Sequence, residues 1–247
     1  MFQIGNFGAD SGGECGVPIS KRYVLCFFYF VSLLFIVIIT DREMFSHVSM
    51  YLNLCSYSFH APQTGNGIFW YSHNLGPVHI IMISSEHSLE KKSPQYKWLE
   101  NDLKNVDRDI TPWVILESHR PMYISKEFTN AQFVVEMELR REFESLLRMY
   151  GVDLLLAGHV HAYHRTCSGL YKSTCNNNGL THITVGTAGA KLDKGFMSDK
   201  KWTDSFMKEW GYGKLTVYNK TKIHWSFISA HGENEGKVLD ELWLTKE

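Results

Sequence analysis

The residues best suited to chemistry are Gly158-His159-Val160-His161, directly after the apolar run Val152-Asp153-Leu154-Leu155-Leu156-Ala157. Two imidazoles one residue apart at a strand end can reach a common metal centre, and neutral imidazole suits zinc, iron and manganese. A glycine before the first histidine lets the backbone turn sharply beneath an ion. Read blandly, a bare His-x-His is a pair of histidines capping a core. A third histidine, His119, follows Trp113-Val114-Ile115-Leu116 and is itself followed by Arg120-Pro121, a rigid turn whose guanidinium could contact an anion. Glu86-His87 follows another apolar run and reads as an outer partner that orients the site's ligands, as a substrate-side acid–base pair, or as a polar pair at a sheet end. Cys167 and Cys175 flank a short polar segment containing Gly169; that spacing suits a local disulfide in an oxidising compartment and two free thiols otherwise.

Regular elements must place these groups. Strands are predicted at 68–72 and 79–84. A helix follows from Pro94 to 106, with Ser93 as its N-cap, and Trp98, Leu99 and Leu103 share one face. The next strand covers 113–116. A second helix, about 131–150, is expected to turn Phe133, Met137, Phe143, Leu146 and Leu147 to a core, and a strand then runs into Gly158. Strand patterns alone follow at 182–185, 213–218, 223–229 and 237–244. Alternating strands and helices followed by strands predict an α/β layered fold, sheet on sheet with helices outside. Phe69, Trp70 and Tyr71 read as sheet core rather than as a binding platform.

With 247 residues, the chain suits one large domain or two small ones. A net charge of −1 shows no basic surplus, so no nucleic acid is expected as a partner. No Gly-x-Ser-x-Gly and no His-Glu-x-x-His is present, which disfavours a serine hydrolase and a zinc protease. Asn219-Lys220-Thr221 is a glycosylation sequon that agrees with a secreted context. Residues 23–40 form an uncharged apolar run that just reaches the length of a membrane span, preceded by Lys21-Arg22. Three readings stay open for it: a translated non-coding insert, a single-pass membrane span, and a buried strand or helix.

The segments Asp10-Ser11-Gly12-Gly13-Glu14-Cys15-Gly16-Val17-Pro18, Ser84-Ser85-Glu86-His87, Ser118-His119-Arg120-Pro121-Met122-Tyr123, Gly158 to Thr166 and Val185-Gly186-Thr187-Ala188-Gly189-Ala190 resemble purple acid phosphatases of the plant-like, high-molecular-weight type. These belong to the calcineurin-like metallophosphoesterases. The likeness covers roughly residues 8–22 and 60–245, in family order. It implies three segments: 1–22 as a loop remnant of the catalytic domain, 23–40 as the hydrophobic insertion, and 60–247 as the C-terminal part of that domain. The fold it implies is the C-terminal half of an αββα four-layer sandwich.

The same resemblance implies a dinuclear centre of ferric iron with zinc, manganese or ferrous iron. His119 and His159 would bind the divalent ion, His161 the ferric ion, and Arg120 would face substrate. The family's Asp-x-Gly, Gly-Asp-x-x-Tyr and Gly-Asn-His-Glu motifs have no counterpart here, so the bridging Asp, the chromophoric Tyr and the Asn ligand are missing, and no residue is assigned a catalytic role. Ser118 stands where the family usually has Gly, and His164 where an acidic residue is common. The implied activity is acid hydrolysis of phosphomonoesters, with this chain holding half of the site. The rival expectation is an inactive fragment, tethered to a membrane by 23–40 or free. The implied setting is secreted, extracellular or vacuolar, and the resemblance also admits a homodimer.

Overall fold

Long uncharged apolar stretches such as Trp113-Val114-Ile115-Leu116 bury side chains on both faces, which suits parallel strands covered on either side. The computed structural model, which describes residues 36–40, 64–124, 134–176, 179–193 and 200–247, shows this arrangement. Thirteen strands and two α-helices run in chain order: β1 (Ile36–Thr40), β2 (Tyr71–Leu75), β3 (Val78–Ile83), α1 (Pro94–Lys104), β4 (Trp113–Ser118), α2 (Val134–Met149), β5 (Leu154–Ala157), β6 (Tyr163–Thr166), β7 (Leu170–Tyr171), β8 (Thr174–Cys175), β9 (Thr181–Val185), β10 (Thr203–Met207), β11 (Gly211–Asn219), β12 (Lys222–Ser229) and β13 (Val238–Thr245).

A seven-stranded sheet has the order β10-β6-β9-β5-β4-β3-β2. Its centre, β3-β4-β5-β9, is parallel, and antiparallel strands complete both edges. The parallel pairs β3–β4 and β4–β5 need crossovers, which α1 and α2 supply. Helix α1 starts where the sequence predicts: the Ser93 hydroxyl accepts the Tyr96 amide at 3.1 Å, and Pro94 occupies the first turn. Leu99 and Leu103 of α1, with Leu139, Phe143, Leu146 and Leu147 of α2, pack against Ile81, Val114, Leu116 and Leu155. Met137, expected in that stripe, is 54% exposed, because it lies across the helix from the Leu139–Phe143 row. Phe133 lies outside the described residues.

The second sheet has the order β1-β11-β12-β13. Strand β11 alternates buried and half-buried positions, so Leu215 and Val217 face inward. With Trp225 and Phe227 they close on Trp113, Ile115, Leu156 and Ile183 from the other face of the first sheet. Tyr163 stacks on Phe227 with centroids 4.1 Å apart. Its hydroxyl donates to Asp240 at 2.6 Å and accepts from the Trp225 indole at 3.0 Å. Arg165 then grips both Asp240 oxygens, at 2.6 and 2.9 Å. The layers are therefore helix, sheet and sheet, and the helices among the described residues all pack on the seven-stranded side.

Strand β1 alters the reading of the hydrophobic run. Residues 36–40 pair in parallel with β11, from Ile36 opposite Gly213 to Thr40 opposite Val217. Residues 36–40 of the run are thus a sheet strand. Among the described residues no helix is long and apolar enough to cross a membrane. The Asp10–Pro18 segment and residues 23–35 lie outside the described residues.

Candidate metal and phosphate site

Ile83, Ser118, Ala157 and Thr184 are register partners across β3, β4, β5 and β9. The residues just beyond them emerge together at one sheet edge, where ligand sites of α/β folds assemble. Glu86, His119 and His159 stand there. The turn after β5 is tight: His159 has φ 62°, and the Gly158 amide donates to the His119 carbonyl at 3.1 Å. Gly186 lies under the turn, so close that a Cβ there would sit 1.9 Å from the Val160 carbonyl oxygen. That contact explains a glycine at 186 better than any turn does.

The sheet edge brings His119 and His159 together, with Nε2 of the first 3.1 Å from Nδ1 of the second. Arg120 donates from Nη1 to His159 Nε2 at 3.0 Å and from Nε to Glu86 Oε1 at 2.7 Å. An acceptor role for Nε2 leaves the His159 proton on Nδ1, pointing at His119. Burial, followed by the Arg120 charge, pushes the His159 pKa down to about 4, so this ring is neutral over the working range. Burial pushes the Glu86 carboxyl up, but the hydrogen bond and charge of Arg120 outweigh it and hold the group below its ordinary value. Glu136, from the first turn of α2, is fully buried 3.9 Å from Arg120, and burial raises its pKa.

His161 lies close enough to His159 for its charge to help lower the pKa of that ring. Its Nδ1 donates to the Lys191 carbonyl at 2.9 Å, and its amide donates to Asp193 at 3.2 Å. Among the described residues, no three His, Cys, Asp or Glu side chains are arranged to hold a metal ion. Among the three expected ligands, His119 and His159 are in direct contact and His161 lies near His159. A loop carbonyl takes one nitrogen of His161, and a guanidinium takes the outward nitrogen of His159. Arg120 is turned to its protein partners Glu86 and His159. This arrangement does not fit a dinuclear centre, since a fixed cation already occupies the ligand nitrogen.

Glu86 and His87 diverge and form no acid–base pair. His87 bonds Ser84 at 2.8 Å and lies against the Phe69 and Trp70 rings, with centroids 4.7 and 5.4 Å away. Trp70 and Tyr71 are buried sheet core. Cys167 and Cys175 form a disulfide with Cα atoms 6.0 Å apart. The hairpin between them docks on α2 through Glu144, which accepts from the Lys172 amide at 3.0 Å and from the Tyr123 hydroxyl. Asn219 lies exposed in the β11–β12 turn, its side-chain oxygen accepting from the Thr221 amide at 2.8 Å and the Thr221 hydroxyl at 3.0 Å. One site residue escaped sequence reading. Glu136 looks in sequence like an ordinary acid in a helix first turn.

Comparison with known proteins agrees with the geometry. A family model described as calcineurin-like phosphoesterase matches residues 40–163, and one described as iron/zinc purple acid phosphatase-like protein C matches residues 179–241. A nucleotide pyrophosphatase/phosphodiesterase of Hordeum vulgare is 28% identical over 96% of this chain and 57% of its own length. Probable purple acid phosphatase 20 of Arabidopsis thaliana is 37% identical over 71% of this chain and 41% of its own. Probable inactive purple acid phosphatase 24 of the same plant is 29% identical over 97% of this chain and 34% of its own. The chain thus spans between a third and three fifths of these relatives. A purple acid phosphatase from yellow lupin (Lupinus luteus) seeds superposes with a TM-score of 0.65 at 27% identity, over 78% of this chain and 35% of the lupin chain. Parallel strands delivering His119 and His159 to one edge, a second sheet packed behind them and these matches together place the chain in the purple acid phosphatase family of calcineurin-like phosphoesterases.

Proposed function

We propose that the parent protein is a metal-dependent phosphomonoesterase working at acid pH, and that this chain carries the C-terminal half of its site and turns over little substrate alone. The observation that carries this reading is the contact of His119 with His159 at the C-terminal ends of β4 and β5, without a third metal donor arranged beside them among the described residues. Two neutral imidazoles bring no negative charge to balance two multivalent cations, and the carboxylate that would bridge such ions has no counterpart in the sequence. The Cys167–Cys175 disulfide supports an oxidising, secretory setting. In such a setting Asn219, exposed in its hairpin turn, would be open to glycosylation.

The test is metal analysis of the purified chain together with a chromogenic phosphomonoester assay at acid pH, before and after supplementing with iron and zinc. Negligible turnover under both conditions is expected. Robust turnover that disappears in His159→Ala would refute the half-site reading, and would show that a carboxylate of this chain completes the centre.

A further inference from the structure

We propose, resting on the secretory setting inferred above, that the first N-acetylglucosamine of a glycan on Asn219 lies in a groove of this chain, between the β11–β12 turn and the loops that lead into β3 and β4. Asn219-Lys220-Thr221 is the only Asn-x-Ser/Thr sequon in the chain. The Asn219 side-chain oxygen is taken by the Thr221 amide at 2.8 Å and the Thr221 hydroxyl at 3.0 Å. Its amide nitrogen, the atom a sugar would be joined to, takes no part in those bonds, and the residue is exposed.

Asn219 itself lines a groove of about 450 Å³, together with Pro77 of the β2–β3 turn, Ile110 of the loop before β4, and Tyr218 and Lys220. That volume lies inside the roughly 300–1,000 Å³ range of small-ligand clefts. Ile110 is 58% exposed and Tyr218 48% exposed, so two large apolar groups stand in water beside the one sequon. A pyranose ring has faces of C–H groups and hydroxyls at its rim. An aromatic ring and an aliphatic side chain can cover such a face while the rim stays in water. The walls are in place before any sugar arrives. Lys220 Nζ donates to the Asp109 carbonyl at 2.6 Å, which ties the turn to the loop carrying Ile110. The Trp113 indole donates to the Asn219 carbonyl at 3.1 Å, and Tyr218 stacks on Trp243 with centroids 5.4 Å apart. A preformed surface loses little entropy on filling. Joined covalently to the groove wall, the sugar acts at an effective concentration on the order of millimolar, so a weak contact suffices to hold it.

The test uses the full chain secreted from a eukaryotic host that adds N-linked glycans. Mass spectrometry reads whether Asn219 carries one, and an unoccupied Asn219 overturns glycosylation and the groove together. The glycan is then trimmed by an endoglycosidase to a single N-acetylglucosamine, or removed by an amidase that leaves Asp at 219. Thermal melts compare these two forms in the wild type and in Ile110→Ser, so that the change to Asp cancels between the backgrounds. The single sugar should raise the wild-type melting temperature by about 2–4 °C, the scale of one modest contact in a chain of this size. In Ile110→Ser the gain should fall to about half of that or less. An occupied Asn219 with no gain, or with the same gain in both backgrounds, would overturn the groove and leave glycosylation standing. If Ile110→Ser does not fold, Tyr218→Ser takes its place under the same criteria.

Discussion

Replacing His182 by Leu should flatten the loss of stability in acid. His182 is fully buried on β9 against the Tyr123 ring, with centroids 4.9 Å apart, and neither ring nitrogen has a hydrogen-bond partner among the described residues. Burial pushes its pKa down from 6.5 to about 3, and the charges of Arg140 and His164 add to that. Above pH 6.5 the ring is neutral in both folded and unfolded chains, so it costs nothing electrostatically. Below it the unfolded chain gains a proton that the folded chain refuses, and stability falls by about 1.4 kcal/mol per pH unit until the folded pKa is reached. Between pH 6.5 and pH 5 this one ring removes about 2 kcal/mol. Leucine fills much of the same space and removes two unsatisfied polar atoms, so His182→Leu should lie within about 1 kcal/mol of wild type at pH 7.5. At pH 5 it should be about 2 kcal/mol less acid-penalised. Urea unfolding followed by tryptophan fluorescence at both pH values measures the difference. His164, whose pKa burial lowers to about 4, contributes to both chains and largely cancels in the comparison. If wild type and variant lose stability in parallel between the two pH values, His182 is not neutral and buried as described, and the argument fails.

Other substitutions test the packing. Gly186→Ala drives a Cβ to 1.9 Å from the Val160 carbonyl, and thermal melts should show a loss of about 1–3 kcal/mol because backbone, not a flexible side chain, must give way. Asp240→Asn removes the charge that Arg165 grips with two nitrogens; Asp204, 3.0 Å from the same guanidinium, still pairs with it, and a loss of about 1–3 kcal/mol in urea unfolding is expected. Reducing Cys167–Cys175, a bridge across eight positions of sequence, should cost about 2.5 kcal/mol by chain entropy, read as a shift in urea midpoint with and without reductant.

The parallel centre of the first sheet was legible because its strands are apolar on both faces, as in Val78–Ile83 and Leu154–Ala157. Helix α1 was legible from Ser93-Pro94. Strands β6 and β10 were not. Tyr163-His164-Arg165-Thr166 and Thr203-Asp204-Ser205-Phe206-Met207 look polar, and only distant partners make them strands: Asp240 for Arg165, and β6 itself for β10. Met137 was misplaced because an apolar residue in a helical pattern does not reveal which side of the stripe it occupies. His119 and His159 could be read as neighbours, since each follows a buried strand of one sheet. The turn of His161 to Lys191 and of Arg120 to Glu86 could not, because each depends on a side-chain rotamer and on a loop some thirty residues away in sequence.

Strand β1 has a consequence for how the chain acquires its fold. Ile36 finds its partner at Gly213, with every strand of the first sheet lying between them in sequence. Pairings so distant in sequence close late, after the intervening loop entropy has been overcome. Until then the β-prone stretch Ile36-Val37-Ile38-Ile39 has no pairing partner of its own while the rest of the chain assembles. Such a stretch pairs readily with its copy on another molecule. Refolding yield should therefore fall as protein concentration rises, and a chain starting after Thr40 should escape much of that dependence.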